Sequence, residues 1–213
     1  MDPDEFVTKA LRAYAEARKA KYPCERVERG RSHSISAALE DLMACYLARN
    51  DTKERRFFVD QPIMLAGETR YPDVVIQNAE GEIENLVDMK TDPGWARGGL
   101  KDFASEWNER VQLIRQQGAI KFKSGEHNEE RSATGFSTHL KYHIIFLTLK
   151  NGSKTTKEHF REVQNGMFPG VEIYCLTEGE HPNSKNFLNG KAWQQKIWAN
   201  VDAFNRIKAN LLF

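Results

Sequence analysis

The sequence predicts an α/β protein in which helices flank a mixed central β-sheet. Segments with helical periodicity alternate with short apolar runs, and one of these runs, YHIIFLTL, is apolar nearly throughout. No internal repeat or linker-like segment divides the chain. The predicted order is α-α-β-β-β-α-β-α-β-α, which is typical of a layered architecture, and residues 1–213 are expected to form a single domain.

Two helices are expected first. Residues 2–21 have apolar side chains at helical spacing, and Pro23 ends this segment. The second helix follows a serine-rich stretch that offers Ser32 or Ser34 as an N-cap, and it ends near Asn50.

Three strands of a meander are expected next, over residues 57–65, 71–77 and 84–90. Pro62 lies inside the first run, so that strand is expected at a sheet edge or a bulge. The second and third runs are separated by a Glu-Gly turn.

The second half of the chain is expected to begin with a helix over residues 99–117. A polar loop over 123–139 then leads to a central strand over 142–149. An elaboration over residues 155–213 adds a helix, a strand and a last helix over 191–209.

Bulk composition excludes several classes of protein. The formal net charge is +1, so any polyanion site must come from local clusters of basic residues. No GxxxxGK[ST] motif is present, so no nucleotide cofactor is expected. The three cysteines are far apart, the first residues are acidic and no long apolar run occurs, so we expect a cytoplasmic protein without a membrane partner.

The hairpin YPDVVIQNAEGEIENLVDMK carries charges among apolar residues. Asp88 and Lys90 point to the same side of one strand, because side chains alternate. A two-residue Glu-Gly turn would place Asp73 directly opposite Asp88, and a four-residue loop over 78–81 would keep Asp73 on the same face. These charges form either a solvated strand end or a site.

A cation would explain the acid pair. Two carboxylates at this spacing repel each other unless a positive charge lies between them, and their oxygens are ligands that Mg²⁺ prefers. Lys90 could approach the same point and orient an attacking water or offset developing charge.

Pro72-Asp73 followed by Asp88-x-Lys90 on the next strand resembles the PD-(D/E)xK motif of the restriction-endonuclease-like nucleases. The αβββαβ order over about 34–149 is similar to that family's core. The resemblance implies a Mg²⁺-dependent nuclease in which Mn²⁺ substitutes. It implies catalytic residues Glu40, Asp73, Asp88 and Lys90, with Asp73, Asp88 and Glu40 as metal ligands and Asp41 as the alternative to Glu40.

In its size the chain resembles a type II restriction endonuclease. This resemblance implies double-stranded DNA as substrate and a homodimer. The last predicted helix could form the dimer interface or pack in the core. Alternatives are a nuclease of this fold in repair, mobile-element or RNA processing, and a nucleic-acid-binding module without turnover. The expected DNA-binding residues are Arg29, Arg31, Arg97, Lys101, Lys123, Arg131 and Lys141.

Overall fold

The computed structural model describes residues 1–22, 25, 31–95, 99–123, 130–182 and 196–212. The helices are α1 (Pro3–Ala17), α2 (Ser36–Asn50), α3 (Leu100–Ile114), α4 (Lys154–Gln164) and α5 (Val201–Leu211), with a 3-10 turn at Pro93–Trp95. The strands are β1 (Arg56–Val59), β2 (Ile63–Leu65), β3 (Glu68–Arg70), β4 (Val74–Gln77), β5 (Glu82–Lys90), β6 (Ile120–Lys123), β7 (Glu130–Ala133), β8 (Gly135–Phe146), β9 (Val171–Cys175), β10 (Thr177–Gly179) and β11 (Ile197–Ala199).

A five-stranded mixed sheet in the order β1-β4-β5-β8-β9 forms the centre of the fold. β1, β4 and β5 are antiparallel, whereas β5, β8 and β9 are parallel. The connections between the parallel strands run through α3 and α4, as parallel pairing requires. The predicted α/β class with a mixed central sheet flanked by helices is therefore confirmed.

Each face of the sheet is covered by its own apolar layer. Val87 and Met89 of β5 pack in the cluster that includes α1, α2 and α5, whereas Leu86 packs in the cluster that includes α3 and α4. Because side chains alternate along a strand, Asp88 and Lys90 belong to the α3/α4 face. Among the described residues, no helix is long and apolar enough to cross a membrane.

The strand expected over residues 57–65 is two strands. Asp60 takes a left-handed conformation with φ of 47°, and Pro62 cannot donate a hydrogen bond to a sheet. The chain therefore leaves the central sheet after β1, and β2 pairs with β3 in a separate hairpin whose turn contains Gly67 at φ 83°.

The expected polar loop over residues 123–139 contains strands. β6 and β7 pair antiparallel, with Lys121 bonded to Glu130, and β8 begins at Gly135 instead of residue 142. The sequence did not predict this hairpin because many of its side chains are polar. Lys121 and Glu130 project into solvent, whereas Ile120 and Phe122 are buried.

The last predicted helix is also shorter than expected. Residues 197–199 form β11, which pairs with β10, and α5 begins only after Asn200, whose side chain accepts a hydrogen bond from Ala203 N. Of the residues considered for a dimer interface, the buried ones are Ile197, Phe204 and Ile207, the exposed ones are Trp198 and Val201, and Trp193 lies outside the described residues.

The β4–β5 hairpin contains a bulge that decides which residues face each other. Its turn is neither of the two considered, because Asn78 N bonds Glu82 O and Gly81 is left-handed, leaving a three-residue loop. That loop alone would set Asp73 opposite Val87. Glu84 is an extra residue in β5 that shifts the pairing by one position. Val74 therefore pairs with Val87, and Asp73, the residue before Val74, comes opposite Asp88.

Arg55 holds the bulged residue in place. Its guanidinium bonds the Glu84 carboxylate, the Asp51 carboxylate at 2.5 Å and the Leu212 carbonyl oxygen at 3.1 Å. The side chains of Arg55 and Asp51 are each only 5% exposed. The bulge is thereby tied to the end of α2 and to the end of α5.

We expect Arg55→Ala to lower the free energy of unfolding by about 3 kcal/mol, because it leaves buried carboxylates without their partner. Lys19→Ala removes an ion pair whose side chains are 68% exposed, so it should cost less than about 1 kcal/mol. Urea unfolding measures both. Equal losses in the two variants would contradict a stabilising role for Arg55.

Candidate active site

Asp88 and Lys90 lie at the carboxyl-terminal end of β5 and contact each other. Lys90 Nζ donates to Asp88 Oδ1 at 2.6 Å, while Asp88 is 6% exposed and the Lys90 side chain 23%. Their shared face follows from strand alternation, as the sequence predicted. The acid is therefore held away from bulk water, with the lysine between it and the surface.

Asp73 meets this pair from the adjoining strand. Its carboxyl group lies beside that of Asp88 and accepts a hydrogen bond from Met89 N, and its backbone oxygen accepts from Asp60 N at 3.0 Å. The predicted meeting of Asp73, Asp88 and Lys90 is thus present in the structure.

Burial, together with the nearby charge of Asp88, raises the pKa of Asp73 to about 8. Lys90 and the Met89 amide act in the opposite direction but do not compensate. Without a further cation, Asp73 therefore retains its proton at neutral pH.

The oxygens of this pair fit a small divalent cation. Among the described residues, no group of three or more His, Cys, Asp or Glu side chains is arranged to hold a metal ion. Mg²⁺ does not need such a group, because it commonly keeps several waters and binds through one or two carboxylates plus substrate phosphate. Asp73 and Asp88 provide two carboxylates of that kind.

Glu40 lies on α2 and influences the pair through space. Its pKa is raised first by burial and then by Asp60, and Asp88 raises it further while Lys90 lowers it. No hydrogen bond links Glu40 to Asp73 or Asp88 in the described part of the chain. Of the two predicted alternatives, Glu40 is half-buried and Asp41 is exposed, which favours Glu40.

Tyr142 of β8 is a site residue that the sequence did not reveal. Its buried side chain lies close enough to Asp88 for the two groups to interact, and its ring stacks on Trp107 of α3 with centroids 3.7 Å apart and planes within 8°. Burial and the charges of Asp88 and Asp73 hold the pKa of Tyr142 well above its usual value, so the hydroxyl stays protonated. Sequence alone gave no signal, because the β5–β8 register is a long-range property.

A second unpredicted group follows Lys90 along the chain. Asn151 Nδ2 donates to Asp92 Oδ2 at 3.0 Å and lies 2.9 Å from His181 Nε2, which is itself 3.4 Å from Asp92. This cluster joins the β5 exit to the loops after β8 and β10.

The predicted DNA-binding residues are dispersed. Arg31 is exposed, Arg131 is half-buried and Lys123 is the last residue of β6, while Arg29 and Arg97 lie outside the described residues. Lys101 pairs with Glu162 at 3.1 Å near the start of α3.

Lys141 lies away from the acid pair. It pairs in register with Asn85, nearer the beginning of β5, and its amine bonds Glu172 at 2.7 Å. This placement does not favour a contact between Lys141 and a substrate held at Asp88.

No family model matches the chain, and neither curated proteins nor solved structures show a significant similarity to it. The structure itself defines an α/β protein with a buried acid, a half-buried acid and a lysine at the carboxyl-terminal end of its central strand.

We expect the metal-free protein to lose stability as pH rises from about 4 to about 8. The folded chain retains the Asp73 proton over this range while the unfolded chain releases it, so the folded state binds more protons. The loss is about 1.4 kcal/mol for each pH unit over which only the folded state is protonated. Urea unfolding in EDTA at several pH values measures it.

Asp73→Asn should remove this pH dependence, because the amide does not titrate. Asp102→Asn, in the first turn of α3, serves as the matched control. An unchanged slope of stability against pH in Asp73→Asn would contradict the assignment.

Proposed function

We propose that this protein is a metal-dependent phosphodiesterase that hydrolyses DNA, similar to the PD-(D/E)xK nucleases and most like a type II restriction endonuclease. The observation that carries the proposal is the meeting of Asp73, Asp88 and Lys90 at the carboxyl-terminal end of β5, the central strand of the sheet. A solvated strand-end cluster explains this contact less well, because Asp88 is buried and Asp73 retains a proton.

The residues have separate roles in the proposed reaction. Asp73 and Asp88 would hold Mg²⁺ or Mn²⁺, which would polarise a phosphoryl oxygen and lower the pKa of a bound water. Lys90 orients the attacking water or offsets charge that develops on the phosphate. Glu40 orients that water or binds a second ion.

Element order supports the fold-family part of the proposal. α2 is followed by the antiparallel strands β1, β4 and β5, and then by α3 and the parallel strand β8. This is the αβββαβ order of a restriction-endonuclease-like core, with the β2–β3 and β6–β7 hairpins inserted.

Double-stranded DNA, a homodimer and a cytoplasmic location belong to the same proposal. A two-fold dimer would match the two-fold symmetry of a palindromic site. The thiols of Cys45 and Cys175 are free, which suits a reducing compartment.

Lys90→Ala should reduce plasmid cleavage in Mg²⁺ by at least about 100-fold, because the transition state loses a positioned cation. Lys9→Ala, at an exposed position of α1, is the control and should cleave like wild type. EDTA should abolish cleavage by both active proteins. Gel analysis of supercoiled plasmid provides the measurement.

The products distinguish the alternatives. Discrete fragments support restriction, whereas smears, nicks or loss from ends would indicate another task for the same chemistry. Full activity in Lys90→Ala, or DNA binding with no effect of Mg²⁺ or Mn²⁺, would refute the proposed mechanism.

Tyr142→Phe should weaken Mn²⁺ binding about tenfold, because Asp88 loses the neighbouring polar hydroxyl. The phenyl ring keeps the stack on Trp107, so the melting temperature should change little. Calorimetric titration measures the affinity. Tyr46→Phe, whose hydroxyl lies away from the acid pair in the other core layer, is the control.

A further inference from the structure

A groove of about 650 Å³ opens beside the ends of β8 and β9, on the far side of β8 from Lys90. This volume is within the range of about 300–1,000 Å³ that is usual for small-ligand sites. The groove contains residues from α4, β10 and β11 and from the loop after β8. None of the predicted DNA-binding side chains that the structure describes lines it.

Three basic side chains line the groove. Lys157 and Arg161 are one turn apart on α4 and therefore project from the same side of the helix, and Lys150 lies in the loop after β8. All three are exposed, and none forms an ion pair with another described residue. Among the lining residues that the structure describes, Glu178 is the one acid, which gives this part of the groove a positive balance that suits an anionic ligand.

Trp198 of β11 provides an aromatic surface in the same groove. It is 50% exposed, yet its indole Nε1 donates to Glu178 Oε2 at 3.0 Å, so Glu178 is engaged in orienting the ring. Glu178 and Trp198 are directly opposite each other in the β10–β11 pair.

Gly179 allows the ring to take this position. Its φ is +92°, and a Cβ atom there would lie 3.0 Å from Trp198 Cζ3 and 1.9 Å from the Lys196 backbone oxygen. The indole is therefore held against the β10 backbone at one side while much of its remaining surface is open to solvent. An exposed tryptophan in a fixed orientation is pre-organised for stacking.

We propose that this groove binds a single-stranded segment of nucleic acid, with a base stacked on Trp198 and phosphates bound by Lys150, Lys157 and Arg161. A basic track beside an aromatic surface is the combination that single strands require. The inference rests on the proposed function only in taking nucleic acid as the ligand.

The groove is close enough to the acid pair to bind the same strand. Thr148 lines the groove, and its amide donates to the carbonyl oxygen of Thr91, the residue after Lys90, at 3.3 Å. Neighbouring strands are about 4.8 Å apart, so the ends of β8 and β9 lie roughly 5–10 Å from the end of β5. A strand cleaved at Asp73 and Asp88 can therefore continue into the groove as an unpaired end or flap.

The test is the anisotropy of a fluorescein-labelled single-stranded oligonucleotide, titrated with the full chain in EDTA so that no cleavage occurs. Trp198→Ala should weaken binding at least about fivefold, and Trp198→Phe should retain most of it. In Lys157→Ala/Arg161→Ala, the slope of log affinity against log salt should decrease by about 1.4, since two phosphate contacts are lost.

Arg49→Ala is the matched control, because Arg49 is an exposed cation at the end of α2, near the opposite edge of the sheet. It should bind like wild type. Trp198→Ala should weaken the binding of a blunt duplex of the same sequence less than the binding of the single strand, because the bases of a duplex already stack on one another.

Wild-type affinity in both groove variants, an equal loss in Arg49→Ala, an equal loss for duplex, or no binding by the wild type would overturn the groove assignment. Plasmid cleavage that depends on Lys90, together with binding that is indifferent to Trp198, would refute the groove alone. Binding that depends on Trp198, with no cleavage by any protein, would refute the proposed hydrolysis alone.

Discussion

The pairing of β4 with β5 is the constraint on which the candidate site depends. The three-residue turn by itself would set Asp73 opposite Val87. The extra residue at Glu84 shifts the pairing by one position, so Asp73 lies opposite Asp88 instead. One residue of slip would move Asp73 to the other face of the hairpin from Asp88 and Lys90. The ion pair between Arg55 and Glu84 therefore stabilises more than a surface loop, because it holds the irregularity that aligns the acids.

Burial gives the acid pair its chemical character. Asp73 is half-buried beside Asp88, so its proton is retained until about pH 8 and a cation could displace it. Tyr142, held by its stack on Trp107, lies beside Asp88 on the core side, and Lys90 bonds Asp88 from nearer the surface. The acid pair is thus packed against the core, and the partly exposed Lys90 lies between Asp88 and the surface.

Local pattern explains which elements were predicted well. α1, α2, α3, α4 and the apolar strands β4, β5 and β9 have clear periodicity, and their packing follows it. The secondary-structure predictions are wrong where the structure depends on a distant pairing strand or on one backbone angle. The break at Asp60, the β6–β7 hairpin and the β11 strand at Trp198 each depend on a backbone angle or a distant strand that no local pattern specifies.

The sequence by itself determined the α/β class and identified Asp73 as a candidate site residue. It also placed Asp88 and Lys90 on the same face, because strand alternation is a local property. Only the tertiary structure decided the bulge at Glu84, the contact of Tyr142 with Asp88 and the groove beneath Trp198. The physical reason is that strand register, parallel pairing and burial are set by residues far apart in the chain. These features depend on packing throughout the core, and a short motif does not specify that packing.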